Sequence, residues 1–116
     1  MKLLIAGSRS IKEFNLRKYI PDGVDLIISG GACGIDREAE NYADKYKISK
    51  LILHPDYKRY GKGAPLKRNE VMIDLADNVL VVWDGESKGS EYTIRRAKEK
   101  GKKVYVIKVT NKDAVT

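Results

Sequence analysis

The arrangement of apolar residues constrains this chain more than any single motif. They gather in five short, nearly continuous runs: Lys2–Ala6, Val24–Ser29, Leu51–Leu53, Asn78–Trp83 and Lys103–Ile107. Runs of this length without polar alternation read as strands buried on both faces, the condition of a parallel sheet. Parallel neighbours need crossover connections, and the intervening stretches supply helical ones. Lys12–Ile20 places Phe14, Leu16, Tyr19 and Ile20 as a short helix that Pro21-Asp22-Gly23 stops. From Asp36, with Asp36 itself as N-cap, Ala39, Tyr42, Ala43 and Tyr46 fall at helical spacing. His54–Ala64 reads as a polar loop, and Pro65 at a first helical position opens a helix over Leu66–Ala76. Ser90–Lys100 reads as a helix closed by Gly101. This βα alternation predicts one α/β domain over residues 1–116, a three-layer, doubly wound parallel sheet, Rossmann-like, and by analogy with such sheets its five strands are expected in the order 3-2-1-4-5.

Composition removes several alternatives. With 116 residues, 42% hydrophobic and 34% charged, the chain has the makeup of a globular domain rather than a disordered tail. No apolar run approaches the roughly 18 residues that span a bilayer, and the first run is too short for a signal-peptide core, so a cytoplasmic location is expected. One cysteine, Cys33, excludes an internal disulfide, and with a single histidine, His54, it argues against a zinc site. The net charge of +7 is segmental: residues 45–68 hold eight Lys or Arg against one acid, and residues 95–112 again eight against one. Residues 69–94 hold one basic residue against six acids. Such basic stretches are either solvated faces or attractors of polyanions, nucleotide or nucleic acid.

In a doubly wound sheet, ligands sit beyond the carboxyl ends of the strands, beside the switch point. The loops there begin with Gly7-Ser8-Arg9 after the first strand. Ser29-Gly30-Gly31-Ala32-Cys33-Gly34-Ile35-Asp36 follows the second, and Asp84-Gly85-Glu86-Ser87-Lys88-Gly89-Ser90 the fourth. Three glycines within five residues allow a sharp entry into a helix and leave amides for an anion, or else serve tight strand–helix packing. Neither a dinucleotide fingerprint in its proper place nor a GxxxxGK[ST] loop is present. Gly89-Ser90 repeats the device, with Ser90 as N-cap or ligand contact. Arg9 is placed to clamp a phosphate or to form a surface ion pair. Arg68 and Asn69 fall in a helix's first turn, where a cation opposes the dipole and calls for an anion, from a ligand or from Glu70. Asp36 is a cap or an acceptor for a ribose hydroxyl. Tyr57, Tyr60, Trp83 and Tyr92 either stack a base or pack.

In this order, the Ser29–Asp36 loop with Ala39, then Arg68-Asn69, then Lys88-Gly89-Ser90 with Ala97 and Lys103–Ile107, the chain resembles the SLOG superfamily. That group includes the Rossmann-like domain of DprA, the LOG phosphoribohydrolases and small stand-alone YspA- or YpsA-like proteins, which the opening Gly7-Ser8-Arg9 most resembles. The resemblance implies a nucleotide or nucleotide derivative, an ADP-ribose-like molecule or a nucleoside phosphate, at the glycine loops. It also implies homodimers or higher homo-oligomers. LOG enzymes carry a PGGxGTxxE element whose Glu assists N-glycosidic cleavage; aligned on Gly89-Ser90, this chain has Thr93 there. A hydroxyl cannot replace that carboxylate. Binding without catalysis is therefore expected at Gly7, Ser8, Arg9, Gly30, Gly31, Ala32, Gly34, Asp36, Arg68, Asn69, Asp84, Gly89 and Ser90. Single-stranded nucleic acid, bound through residues 45–68, and N-glycosidic cleavage are the alternatives.

Overall fold

A computed structural model describes residues 1–109; Lys112, counted in the 95–112 segment above, lies outside the described residues. Five strands, β1 (Lys2–Gly7), β2 (Leu26–Ser29), β3 (Ser49–Ile52), β4 (Asn78–Trp83) and β5 (Lys103–Lys108), form one sheet. All four pairings are parallel, in the order β3-β2-β1-β4-β5. The helices are α1 (Ile35–Lys45), α2 (Tyr57–Tyr60), α3 (Ala64–Leu75) and α4 (Lys88–Glu99). The architecture is the α/β, Rossmann-like one expected. Among the described residues no helix is long and apolar enough to cross a membrane.

Alternation along each strand divides the core into two layers. Leu3, Ile5, Ile27, Leu80 and Val82 face α1, meeting Ile35, Ala39 and Ala43. Leu4, Ile28, Val79 and Val81 face the other side, where Met72, Ile73 and Ala76 of the α3 end and Ala97 of α4 cover them. Each such fully buried aliphatic side chain contributes about 1.5–3 kcal/mol by leaving water. The central pair β1–β4 is apolar on both faces because both are covered; the edge strand β3 tolerates exposed Ser49 and Lys50 because it is not.

Several boundaries differ from the expected ones, each for a physical reason. Lys12–Ile20 is not an α-helix; only Leu16–Lys18 forms a short 3-10 turn. Phe14 and Leu16 of this segment both pack into the α1-side layer. Two residues apart, on an α-helix they would stand about 160° apart around the axis, so one helix could not bury both. The strand expected at Leu51–Leu53 starts at Ser49, paired with Leu26, and Leu53 extends the ladder through its amide to the Ser29 carbonyl at 2.9 Å. The polar loop His54–Ala64 contains α2, whose start is capped by Asp56 Oδ1 accepting from the Arg59 amide at 3.2 Å, and a 3-10 turn Gly61–Gly63. Ser90 does not cap α4: Ser87 does, and Ser90 is the third helical residue. Arg68 and Asn69 are the fifth and sixth residues of α3, one residue deeper than expected and so beyond its first turn, because α3 starts at Ala64.

Candidate functional site

β1 and β4 are neighbours whose connections leave in opposite directions, and a crevice of about 370 Å³ opens above their carboxyl ends. Three helix starts border it, through Asp36 of α1, Pro65 and Leu66 of α3, and Gly89 and Ser90 of α4. Close approach of the loops requires glycine at two places. A Cβ on Gly7 would lie 2.4 Å from the Val82 carbonyl oxygen and 2.7 Å from Ile35 Cβ. Gly34, at φ 74°, lets the α1 entry touch the Ser8 carbonyl, 2.7 Å from where a Cβ would stand.

The loop after β1 and the loop after β4 are locked together. Ser8 is buried, its Oγ accepts from the Asp84 amide at 3.0 Å, and Ser10 Oγ donates to Asp84 Oδ2 at 2.8 Å. Asp84 Oδ1 in turn accepts from the amides of Glu86 and Ser87 at 2.9 and 2.8 Å. These amides, of Ser87 first, hold the Asp84 carboxyl down at about 2. Asp84 thus shapes the entry to α4, and both its oxygens are engaged. The amides of Lys88 and Gly89 that follow meet no acceptor among the described residues, and Gly89 lines the crevice.

The glycine loop after β2 is organised differently from an open nest. Ala32 N donates to Asp36 Oδ2 at 3.1 Å, and Gly31 N donates to Ser29 Oγ at 3.4 Å. Asp36 is therefore not the N-cap of α1; it is the second helical residue and caps the loop behind it. Gly30, Gly31 and Gly34 shape this corner and do not line the crevice, and neither does Ser8; Ala32 and Asp36 do. Arg68 reaches across from α3 and donates through Nη1 to the Gly30 and Leu53 carbonyls at 2.6 and 3.0 Å, and through Nε to Asn69 Oδ1 at 2.9 Å. Its Nη2 meets no acceptor among the described residues. The charge of Arg68 is met by Asp36, not by Glu70, which faces Arg96 and Lys100. Burial raises the Asp36 carboxyl, the Ala32 amide and Arg68 offsetting part of the effect, while desolvation lowers Arg68. Arg9 stands exposed at the rim and forms no ion pair among the described residues.

Nine of the thirteen expected positions line one crevice: Gly7, Arg9, Ala32, Asp36, Arg68, Asn69, Asp84, Gly89 and Ser90. Pro65, Leu66 and Met72, which sequence reasoning passed over, supply an apolar wall on the α3 side. Only Pro65 carried a signal, its place at a helix start. None of the four aromatic residues considered lines the crevice. Trp83 Nε1 donates to the Ser87 carbonyl at 2.9 Å and the Tyr92 hydroxyl donates to Glu70, while Tyr57 and Tyr60 are exposed on α2. His54 packs against Gly31 and Cys33 is exposed in the loop. Thr93 is buried, its hydroxyl donating to the Gly89 carbonyl at 3.1 Å. Among the described residues no group of three or more His, Cys, Asp and Glu could hold a metal. Comparison with protein-family models, curated proteins and solved structures found no match.

Proposed function

We propose that this chain binds a nucleotide or nucleotide derivative, a nucleoside phosphate or ADP-ribose-like molecule, in the crevice above β1 and β4, without transforming it. The observation that carries the reading is the convergence of three helix starts and Arg9 on one crevice of about 370 Å³. Helix starts bring free amides and the positive end of a dipole, the natural partners of a phosphate. The phosphate belongs at the Lys88 and Gly89 amides, within reach of Arg9 at the rim, because the loop after β2 is filled by its own Asp36. The base lies along Pro65, Leu66 and Met72. Thr93 at the position of the LOG glutamate favours binding over N-glycosidic cleavage. The proposal includes membership of the SLOG superfamily, supported by the motif order and by the place of those motifs at the crevice, and self-association, supported by Val71 and Leu75 lying 49% and 41% exposed on α3.

One observation favours a second reading, single-stranded nucleic acid. Tyr57 and Tyr60 are 59% and 40% exposed on one turn, with Arg59 and Lys67 about the Tyr60 ring at 5.4 and 5.7 Å. Such a surface suits base stacking.

A thermal-shift panel tests both readings. Nucleoside mono- and diphosphates, ADP-ribose and a short oligonucleotide are compared, each up to millimolar concentration. The expected result is a rise in Tm for nucleotides that grows with the logarithm of ligand excess. No shift with any nucleotide would overturn the first reading; a shift with the oligonucleotide alone, lost at high salt, would establish the second.

A further inference from the structure

One carboxylate oxygen in the crevice has a place but no partner. Asp36 is 8% exposed, and its Oδ2 accepts from the Ala32 amide at 3.1 Å. Its Oδ1 receives no donor among the described residues. Every fully buried side-chain polar atom there has a partner, so this oxygen keeps open surface, and the space Asp36 lines is the crevice. Arg68 does not fill the role: it makes no hydrogen bond to Asp36 among the described residues, its Nη1 going to the Gly30 and Leu53 carbonyls and its Nε to Asn69.

We propose that Asp36 Oδ1 is the acceptor for a ribose hydroxyl, so that the crevice selects ribose over 2-deoxyribose. This rests on the nucleotide reading and deepens it by naming the sugar. The crevice sets an acceptor apart from the donors of the α4 start. The α4 start and Arg9 present donors, as an anion needs. Asp36, set over the β2 side of β1 while α4 begins on the β4 side, presents an acceptor. A carboxylate repels a phosphate and welcomes a hydroxyl, and a buried carboxylate oxygen is strongly favoured by such a donor. A ligand with a phosphate at one end and a vicinal diol in the middle meets both demands; one lacking the 2′-hydroxyl leaves the acceptor unpaired at a cost.

The test is isothermal titration of each ribonucleoside 5′-monophosphate and its 2′-deoxy counterpart, with ribose 5-phosphate and 2-deoxyribose 5-phosphate as base-free probes, into the wild-type protein and Asp36→Asn. The wild type is expected to prefer the ribo form by about tenfold or more. Asp36→Asn can keep its bond to the Ala32 amide while presenting an NH2 group to the crevice. The hydroxyl can accept from that NH2, so the variant trades a charge-assisted bond for a neutral one; it is expected to bind the deoxy form as before and to show a ribo preference about threefold or more below that of the wild type. Equal affinities in the wild type, which needs no variant to fold, would overturn the assignment and leave the nucleotide reading standing. So would a preference that is undiminished in a folded Asp36→Asn. Failure of the wild type to bind any probe would overturn both.

Discussion

Arg68 Nη1 bridges the carbonyls that end β2 and β3, at 2.6 Å from Gly30 and 3.0 Å from Leu53, and so ties α3 to two strand ends. Removing it leaves two carbonyls without donors and Asp36 without its nearest cation. Arg68→Ala is therefore expected to lower stability by about 3 kcal/mol, read as a shift of the urea midpoint at unchanged slope. A loss below about 1 kcal/mol would mean water replaces the guanidinium freely. In the sequence, Arg68 near a helix start read as a cation in need of an anion, from a ligand or from Glu70. Its commitment to carbonyls was not, because nothing local to residue 68 records where residues 30 and 53 end. Asp36 shows the same limit. Its helical position was legible to within two residues, but the Ala32 amide it accepts from is set by the turn of the loop, not by helix spacing.

At the scale of elements, α3 and α4 are joined by a charged clamp that the segmental charges only hinted at. Glu70 of α3 accepts from Arg96 Nε at 2.6 Å, lies 2.6 Å from Lys100 Nζ, and takes the Tyr92 hydroxyl. These partners, Arg96 first, hold the Glu70 carboxyl down at about 2 from 4.5. A carboxyl depressed on folding contributes stability that is complete above its unfolded value and is lost as pH falls towards its folded one. Glu70→Gln is thus expected to be less stable than the wild type by about 2 kcal/mol at neutral pH. The gap should close between about pH 5 and pH 2 in paired urea titrations. A gap that stays constant across that range would assign the loss to packing and not to charge. The strands were legible from their continuous apolar runs, α1 from its apolar spacing, and α3 and α4 from Pro65 and Gly101 at their ends. Lys12–Ile20 misled because its apolar residues suggested a helical face, while Phe14 and Leu16, which both pack on the α1-side layer, are spaced for an irregular chain.

For the whole molecule, pairing separates the two basic segments that looked equivalent in the sequence. The one around α4 is answered across the helix pair: Arg96 and Lys100 meet Glu70, Lys100 also meets Asp74, and Arg95 meets Glu99. In residues 45–68 the only ion pair among the described residues is Lys50 with Asp44. Lys58, Arg59, Lys62 and Lys67 remain as a positive field around α2 and the start of α3, beside the crevice, where they can draw in an anion. The βα alternation was legible in the sequence, and the order that brings the β1, β2 and β4 loops together followed by analogy with other doubly wound sheets. The depth of the crevice, and the apolar wall of Leu66 and Met72, depend on how α3 lies over the sheet, which no pattern in one segment encodes. Gly89 offers a direct probe of this arrangement, because a Cβ there would meet nothing within 4 Å while the residue lines the crevice. The decisive measurement is calorimetric titration of a nucleoside 5′-monophosphate into wild type and Gly89→Phe, with matched thermal unfolding to confirm that both are folded. Saturable binding in the wild type, abolished in the variant, is the predicted result; binding of equal strength in both would contradict the placement of the ligand above β1 and β4.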